Sequence, residues 1–551
     1  MWKPLPCIRQ GYVNIVGTKV TGMYNALDAF NFILNPIIHH RSSVLQGYHQ
    51  PSPQRIMGID FTDKIVKRRI ITGSVLSLLI ALSIAMTCFD AKKGGAYIMA
   101  EDDPSIINYN AALPTEEEPQ LLPGDIAWML AATALVLLMT PGLAFFYGGM
   151  VRAKNVISTL LMSFVAMGVI TMLWTVVGFS LAFGDSLSGY MGNPATFPFY
   201  NNVGAAADTN FSNTIPLALY SLFQLKFAII TPALISGAIA ERVRFTSYII
   251  FIVLFSLFVY CPLAHMTWHP DGLLAKAGIL DFAGGTVVHM SSGYAALVGS
   301  IILGPRKNVG KMQPANIPFV MLGTALLWFG WFGFNAGSAL AADPVAVQAF
   351  LTTNTATAAA MLTWVFVDHL RGSKSTAMGA CVGAVVGLVV ITPGAGFVTV
   401  GGAACMGMIG AFISNVVAHY FNTKANIDDT LDVWPCHGLG GTVGMVLTSC
   451  FATVSANADG ADGLFYGDAT LFWHHLVALV CLIPYIMGMS FLCYQITNLI
   501  YPLRVGEKSE KLGLDMSQHK ESIMVHDEEE DDVVKPADDL DASSRIELGS
   551  M

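Results

Sequence analysis

What most constrains this 551-residue chain is a succession of long apolar stretches between Gly124 and Pro502. A helix needs about 20 apolar residues to cross the ~30 Å hydrocarbon core of a bilayer. Stretches of that order lie near 124–147, 155–183, 213–238, 246–264, 283–303, 316–340, 347–368, 376–394, 398–420, 435–453 and 470–502. With no water in the bilayer core, each backbone N–H and C=O must be satisfied within its own segment, so these stretches fold as helices. The expectation is an all-α polytopic membrane protein with eleven spans. Only 12% of residues are charged and 54% are hydrophobic, whereas soluble domains carry ~25% charged residues; an ordinary soluble protein is excluded.

The loops set the orientation. One alternating set holds Arg152, Lys154, Arg242, Arg244, Arg306, Lys307, Lys311, Arg371, Lys374 and Lys424; over the same core the other set holds Lys276 alone, with Asp185, Asp208, Asp271, Asp343, Asp459, Asp462 and Asp468. Lys and Arg favour the cytoplasmic side, so the first of these spans runs from outside to inside and the C-terminus is cytoplasmic. Asn210-Phe211-Ser212 is an N-glycosylation sequon in a loop that this topology puts outside.

Three regions follow. Residues 1–120 form a basic, then acidic, extension around a hydrophobic segment at 71–88, an extra anchor helix or an internal signal later removed; Met99 is an alternative start. Residues 121–503 carry the spans. Residues 504–551 are a polar tail with an acidic run from Asp527 to Asp532, expected to dock in part and otherwise to be disordered. The net charge of −9 gathers largely in that tail. The nine cysteines form no CxxC pair, and those in the spans read as small apolar packing residues.

Two histidines stand in glycine-rich apolar spans, His289 in LDFAGGTVVHMSSG and His437 in LDVWPCHGLGGTVG. An ionisable side chain in a bilayer marks a functional site by default. Each follows a Leu-Asp pair, Asp281 and Asp432, and lies beside a Gly-Gly-Thr-Val; one device used twice suggests a path between two related halves. Hydropathy places His289 toward the outer end of its span and His437 toward the inner end of its own. The alternative for each histidine is a hydrogen bond to a nearby carbonyl, and for each aspartate a helix cap. Asp428, Asp429 and Asp432 read as a cytoplasmic cap and loop network. The remaining histidines of the spans, His265, His269, His369, His419, His474 and His475, read as interfacial.

Aromatic residues recur at helical spacing: Phe223 and Phe227; Trp328, Trp331 and Phe334, with Ser338 on the same face; and Trp268 at the outer end of the fourth span. They serve either as packing and interfacial aromatics or as a cation site, where aromatic faces attract a small cation by ~0.5–2 kcal/mol. No nucleotide-binding loop, catalytic triad or zinc signature is legible, so neither an ATP-driven pump nor an enzyme is expected, and no cofactor, metal or nucleic-acid partner is implied.

FFYGGMVRAKN, SGAIAERVRF, AHMTW, LDFAGGTVVH, WFGWFGFNAGSA, ITPGAGFV and DDTLDVWPCHGLGGTVG together closely resemble the ammonium transporter, methylammonium permease and Rhesus glycoprotein family, in the style of its ammonium transporter branch. The resemblance covers roughly residues 120–520. It implies a homotrimer with one pore per subunit, each subunit built from two inverted five-helix repeats and a final helix. It further implies an outer ammonium recruitment site at Phe227, Trp268 and Ser338 supported by Asp281, a stacked phenyl gate of Phe223 and Phe334, and pore histidines His289 and His437. The substrate is ammonium or ammonia, with methylammonium as an analogue, carried across the plasma membrane. Gly513 to His519 resembles the family segment that docks under a neighbouring subunit, with Ser517 where plant relatives carry a phosphorylated threonine; that implies a kinase or other cytoplasmic regulator. An ammonium sensor and a Rhesus-like neutral gas channel are the alternatives.

Overall fold

The computed structural model of the chain describes residues 55–56, 59–60, 120–307, 313–424 and 427–523. The chain divides into two units, 1–92 and 93–551. In the first, the described residues are a two-residue antiparallel pair, Arg55–Ile56 with Ile59–Asp60. The hydrophobic segment 71–88 and the acidic run 527–532 lie outside the described residues.

The second unit is helical, and its membrane helices take the places anticipated from hydropathy. They are α1 (Pro123–Met150), α2 (Ala153–Phe183), α3 (Leu217–Ile239), α4 (Phe245–Lys276, with a break after Trp268), α5 (Gly285–Leu303), α6 (Ile317–Ala339), α7 (Pro344–Leu370), α8 (Ala377–Ile391), α9 (Val400–Lys424), α10 (residues 434–451) and α11 (Thr470–Ile500). Among the described residues, nine are long and apolar enough to cross a membrane. α8 is a shorter apolar helix. The protein is therefore a multi-pass membrane protein, and five helices per half place α1–α5 and α6–α10 in opposite directions.

The halves meet where small residues let backbones approach. α1 lies along α6; a Cβ at Gly323 would stand 2.3 Å from the Phe146 nitrogen, and one at Gly333 2.8 Å from the Ala132 carbonyl oxygen. α5 crosses α10 in the same way, with a Cβ at Gly293 only 2.0 Å from the Gly438 nitrogen. That crossing carries the two histidines.

On the face that carries the basic loops, a buried ion-pair network ties the halves. Glu241, fully buried, takes Arg152 Nη2 at 2.6 Å and Arg306 Nη1 at 3.1 Å, and Arg306 Nη2 reaches Asp428 at 2.7 Å. The tail packs on this face of its own chain. A short helix, α12 (Glu507–Leu512), is followed by a wide turn, Asp515–His519. The Asp515 carboxylate accepts from the Ile157 and Ser158 amides at the start of α2 (3.1 and 2.7 Å), and Leu514 N–H donates to Asn155 Oδ1 at 2.8 Å. An acidic side chain suits the free N–H groups of a helix start.

Candidate functional site

The same local device opens α5 and α10. In α5 the Asp281 carboxylate accepts from the amides of Gly284, Gly285 and Thr286 (2.8, 2.6 and 2.7 Å) and from Thr286 Oγ1 (2.5 Å). Gly284 turns the chain with φ +108°, and the helix begins as a wide π-type turn, Gly285–Met290, that carries His289. In α10 the Asp429 carboxylate accepts from the amides of Val433 and Trp434 (3.1 and 2.7 Å), the turn residue is Asp432 with φ +56°, and the wide turn Trp434–Leu439 carries His437. The sequence pairing of Asp281 with Asp432 is thereby corrected. The counterpart of Asp281 is Asp429, each eight residues ahead of its histidine, and Asp432 answers to Gly284. A cap must lie a turn ahead of the amides that it satisfies, and Asp432 is too close. Burial raises the Asp429 carboxyl to about 6 against the pull of those amides.

The wide turns aim both histidines inward. His289 and His437 meet with Nδ1 atoms 3.2 Å apart and rings inclined by 27°. Both are buried. Their meeting was not legible from hydropathy, which set them at different depths. Trp331 stacks on His289 at 5.3 Å and 15°, and its own N–H donates to Thr392 Oγ1 at 2.9 Å. His289 Nε2 is buried without a partner. It faces a chamber of about 10 Å³ walled by Leu143, Ile230, Val288, Leu327 and Phe334, about the room of one water. Two Nδ1 atoms in contact share one proton, so when both rings are neutral one carries its proton on Nδ1 and the other on Nε2.

A second, more polar cavity of about 140 Å³ lies on the face with the acidic loops, lined by Phe227, Trp268, Ser338, Gln224, Asn210 and Phe282 among others. Trp268 Nε1 donates to the Asp281 carbonyl at 3.0 Å, so the residue that caps α5 also fixes this indole. Ser338 Oγ donates to the Phe334 carbonyl at 2.9 Å. Phe227 lines this cavity and Phe334 the chamber below, and the two rings lie 4.2 Å apart, tilted by 35°. The gate expected from the sequence pairs Phe223 with Phe334; the ring that meets Phe334 is that of Phe227. Phe223 touches Phe227 edge-on at 4.9 Å and fills the space over Gly337, where a Cβ would lie 2.9 Å from its ring.

Sequence reasoning missed Gln224, whose signal is its place one turn before Phe227. It also missed three histidines taken as interfacial. His475, for one, is buried, with Nδ1 donating to the Met445 carbonyl (2.9 Å) and Nε2 accepting from the Leu280 amide (3.1 Å) beside Asp281. His265 and His269 are likewise buried and stack on each other at 4.4 Å. Asn210 is exposed at the cavity rim. Among the described residues no group of His, Cys, Asp and Glu is placed to hold a metal ion.

A polar aromatic cavity and a histidine-lined chamber, with the Phe227–Phe334 ring pair between their linings, lie among the helices of a multi-pass membrane protein. The profile of the Ammonium Transporter Family matches residues 127–524. The chain is 45% identical over 401 residues to the ammonium transporter of Bacillus subtilis (strain 168), covering 72% of this chain and 98% of that one. It resembles the crystal structure of Candida albicans Mep2 with a TM-score of 0.66 at 34% identity, over 71% of this chain and 88% of the other. A structure described as a sensor Amt protein matches with a TM-score of 0.66 at 28% identity, over 72% and 98% of the two chains. The chain belongs to the ammonium transporter family.

Proposed function

We propose that this protein is an ammonium transporter of the plasma membrane that takes up ammonium in the Phe227–Trp268–Ser338 cavity and passes ammonia through the twin-histidine chamber. The observation that carries the reading is the placement of an unpartnered imidazole nitrogen, His289 Nε2, in an otherwise apolar chamber under a closed phenyl pair. In the cavity the aromatic faces attract the cation and Ser338 Oγ, its own proton spent on Phe334, offers lone pairs. Below the phenyl pair a bare cation loses its hydration with nothing charged to replace it. Desolvation favours the neutral form of a cationic acid, so ammonium gives up its proton before ammonia moves to the imidazoles. Ammonia both donates and accepts, and either tautomer of His289 offers it a partner at Nε2. The histidine pair is also a route for the proton. Potassium has no proton to give up, and so stays outside.

In this reading the face with the basic loops and the docked tail is cytoplasmic, the cavity opens outside, Asn210 carries a glycan at its rim, and the subunit works as a homotrimer. Methylammonium is the substrate analogue. Ser517, whose Oγ donates to the Ser509 carbonyl at 3.3 Å within the docked tail, is the site at which a kinase would loosen or shut the pore by adding charge. The likeness to a protein described as a sensor supports a second reading, in which the same site reports ammonium through the tail.

The test is expression in cells lacking their own ammonium transporters, measuring current and growth on low ammonium, with His289→Ala and His437→Ala in parallel. Saturable ammonium-dependent current that the variants lose or alter is the expected result. Growth without current points to neutral ammonia conduction. Neither response, with the protein at the surface, overturns the transporter reading in favour of the sensor.

A further inference from the structure

The polar groups around the outer cavity can be accounted for one by one. The single N–H of Trp268 is spent on the Asp281 carbonyl. Both oxygens of the Asp281 carboxylate are spent on the turn that opens α5, so this charge cannot touch a cation in the cavity. Ser338 Oγ keeps its lone pairs. Asn210 lies at the exposed rim, where water competes for it. Gln224 is different. It lines the cavity beside Tyr220, whose hydroxyl its amide N–H group meets, is only 7% exposed, and its Oε1 is buried with no hydrogen-bond partner. A buried carbonyl without a donor is destabilising, and native proteins rarely leave one so.

Gln224 precedes Phe227 by three residues on α3, which stacks the two side chains on one helix face with Cβ atoms about 5–6 Å apart. A cation resting on the Phe227 ring is therefore within reach of the carboxamide. Rotation of an amide about its last torsion is broad and roughly two-fold, so the oxygen can turn to a donor that arrives in the cavity.

We propose that Gln224 is a specificity-determining residue of the outer site, its carboxamide oxygen accepting an N–H of the bound ammonium opposite Ser338. This rests on the reading of the cavity as an ammonium site. A tetrahedral ammonium then has two side-chain acceptors, aromatic faces and the water at the rim. Methylammonium brings one N–H fewer and a methyl group that finds no apolar place beside an amide.

Gln224→Leu keeps the bulk and removes the acceptor. Measured as ammonium-dependent current in the full-length chain, its half-saturation for ammonium rises about tenfold, equivalent to about 1.4 kcal/mol, while the maximal current per surface protein stays within about twofold. Methylammonium half-saturation rises less, because the leucine receives the methyl, so discrimination between the two narrows. Gln224→Glu keeps an acceptor and holds ammonium half-saturation at or below the wild-type value. A Gln224→Leu protein within about twofold of wild type in ammonium half-saturation overturns the inference, as does loss of conduction in both variants. Trp268→Leu and Ser338→Ala separate the two levels. If neither moves half-saturation, the cavity is not the ammonium site; if they do and Gln224→Leu does not, Gln224 alone is excluded.

Discussion

Asp281 caps α5 and holds Trp268 through its carbonyl, and its contacts fix what its removal does. Its two oxygens take three backbone N–H groups and one hydroxyl at 2.5–2.8 Å, all buried. Asp281→Ala leaves the Gly284, Gly285 and Thr286 amides without acceptors; Thr286 Oγ1 can rotate to another. At about 1–3 kcal/mol for each orphaned buried donor, and allowing for non-additivity among neighbours, the loss is about 3–5 kcal/mol. That is a large share of ordinary stability, about 5–15 kcal/mol. Asp281→Asn keeps one acceptor oxygen but points an amide at groups that also donate, so it loses roughly half as much. Asp281→Glu, one methylene longer, does not rescue the turn. Because the Asp281 carbonyl holds Trp268 and the turn carries His289, the same variants raise ammonium half-saturation. Thermal melting of the protein in detergent gives the stability series, and ammonium-dependent current gives the functional one. The order expected in both is wild type, then Asn, then Ala. An Asp281→Asn protein that matches wild type in melting and in half-saturation refutes the reasoning, since it would mean that the second oxygen carries nothing.

Gly293→Ala places a Cβ 2.0 Å from the Gly438 nitrogen, which forces α5 from α10 and parts the histidines; current per surface protein should fall more than about tenfold, by an overpacking strain of at least about 1–3 kcal/mol. Glu241→Gln takes the carboxylate from Arg152 and leaves Arg306 with Asp428 alone, and a drop of about 1–3 kcal/mol should appear as earlier thermal melting. Burial pushes the Glu241 carboxyl up, but the hydrogen bond from Arg152 and the charge of Arg306 hold it below its ordinary 4.5. Its stabilisation is therefore complete above pH ~4.5 and lost as pH falls through its lowered value. The acid limb of a melting-versus-pH series should flatten in Glu241→Gln. Ser517→Asp adds charge two residues from Asp515 in the docked tail and should reduce current, while Ser517→Ala leaves it unchanged; equal currents in the two exclude Ser517 as a switch.

The spans and their alternation were legible in the sequence because lipid admits so few solutions. A stretch of about 20 apolar residues must be a helix, charged loops must sort by side, and a histidine among glycines stands out against that background. What the sequence left undecided depends on distances between segments far apart in the chain. His289 and His437 lie 148 residues apart, and only the crossing of α5 on α10, permitted by Gly293 and Gly438, brings Nδ1 to Nδ1. The repeated Leu-Asp pairs suggested Asp432, yet hydrogen bonds select Asp429, because capping depends on where amides point and not on which residues look alike. Phe223 and Phe227 are equivalent in spacing; the approach of α6 decides that Phe227 meets Phe334. The spacing of Gln224 from Phe227 is legible in the sequence, but its unpartnered oxygen is not, since such an acceptor is defined only by what fails to surround it. Local chemistry and the bilayer determined which elements form; packing between the two halves decided which side chains share the path.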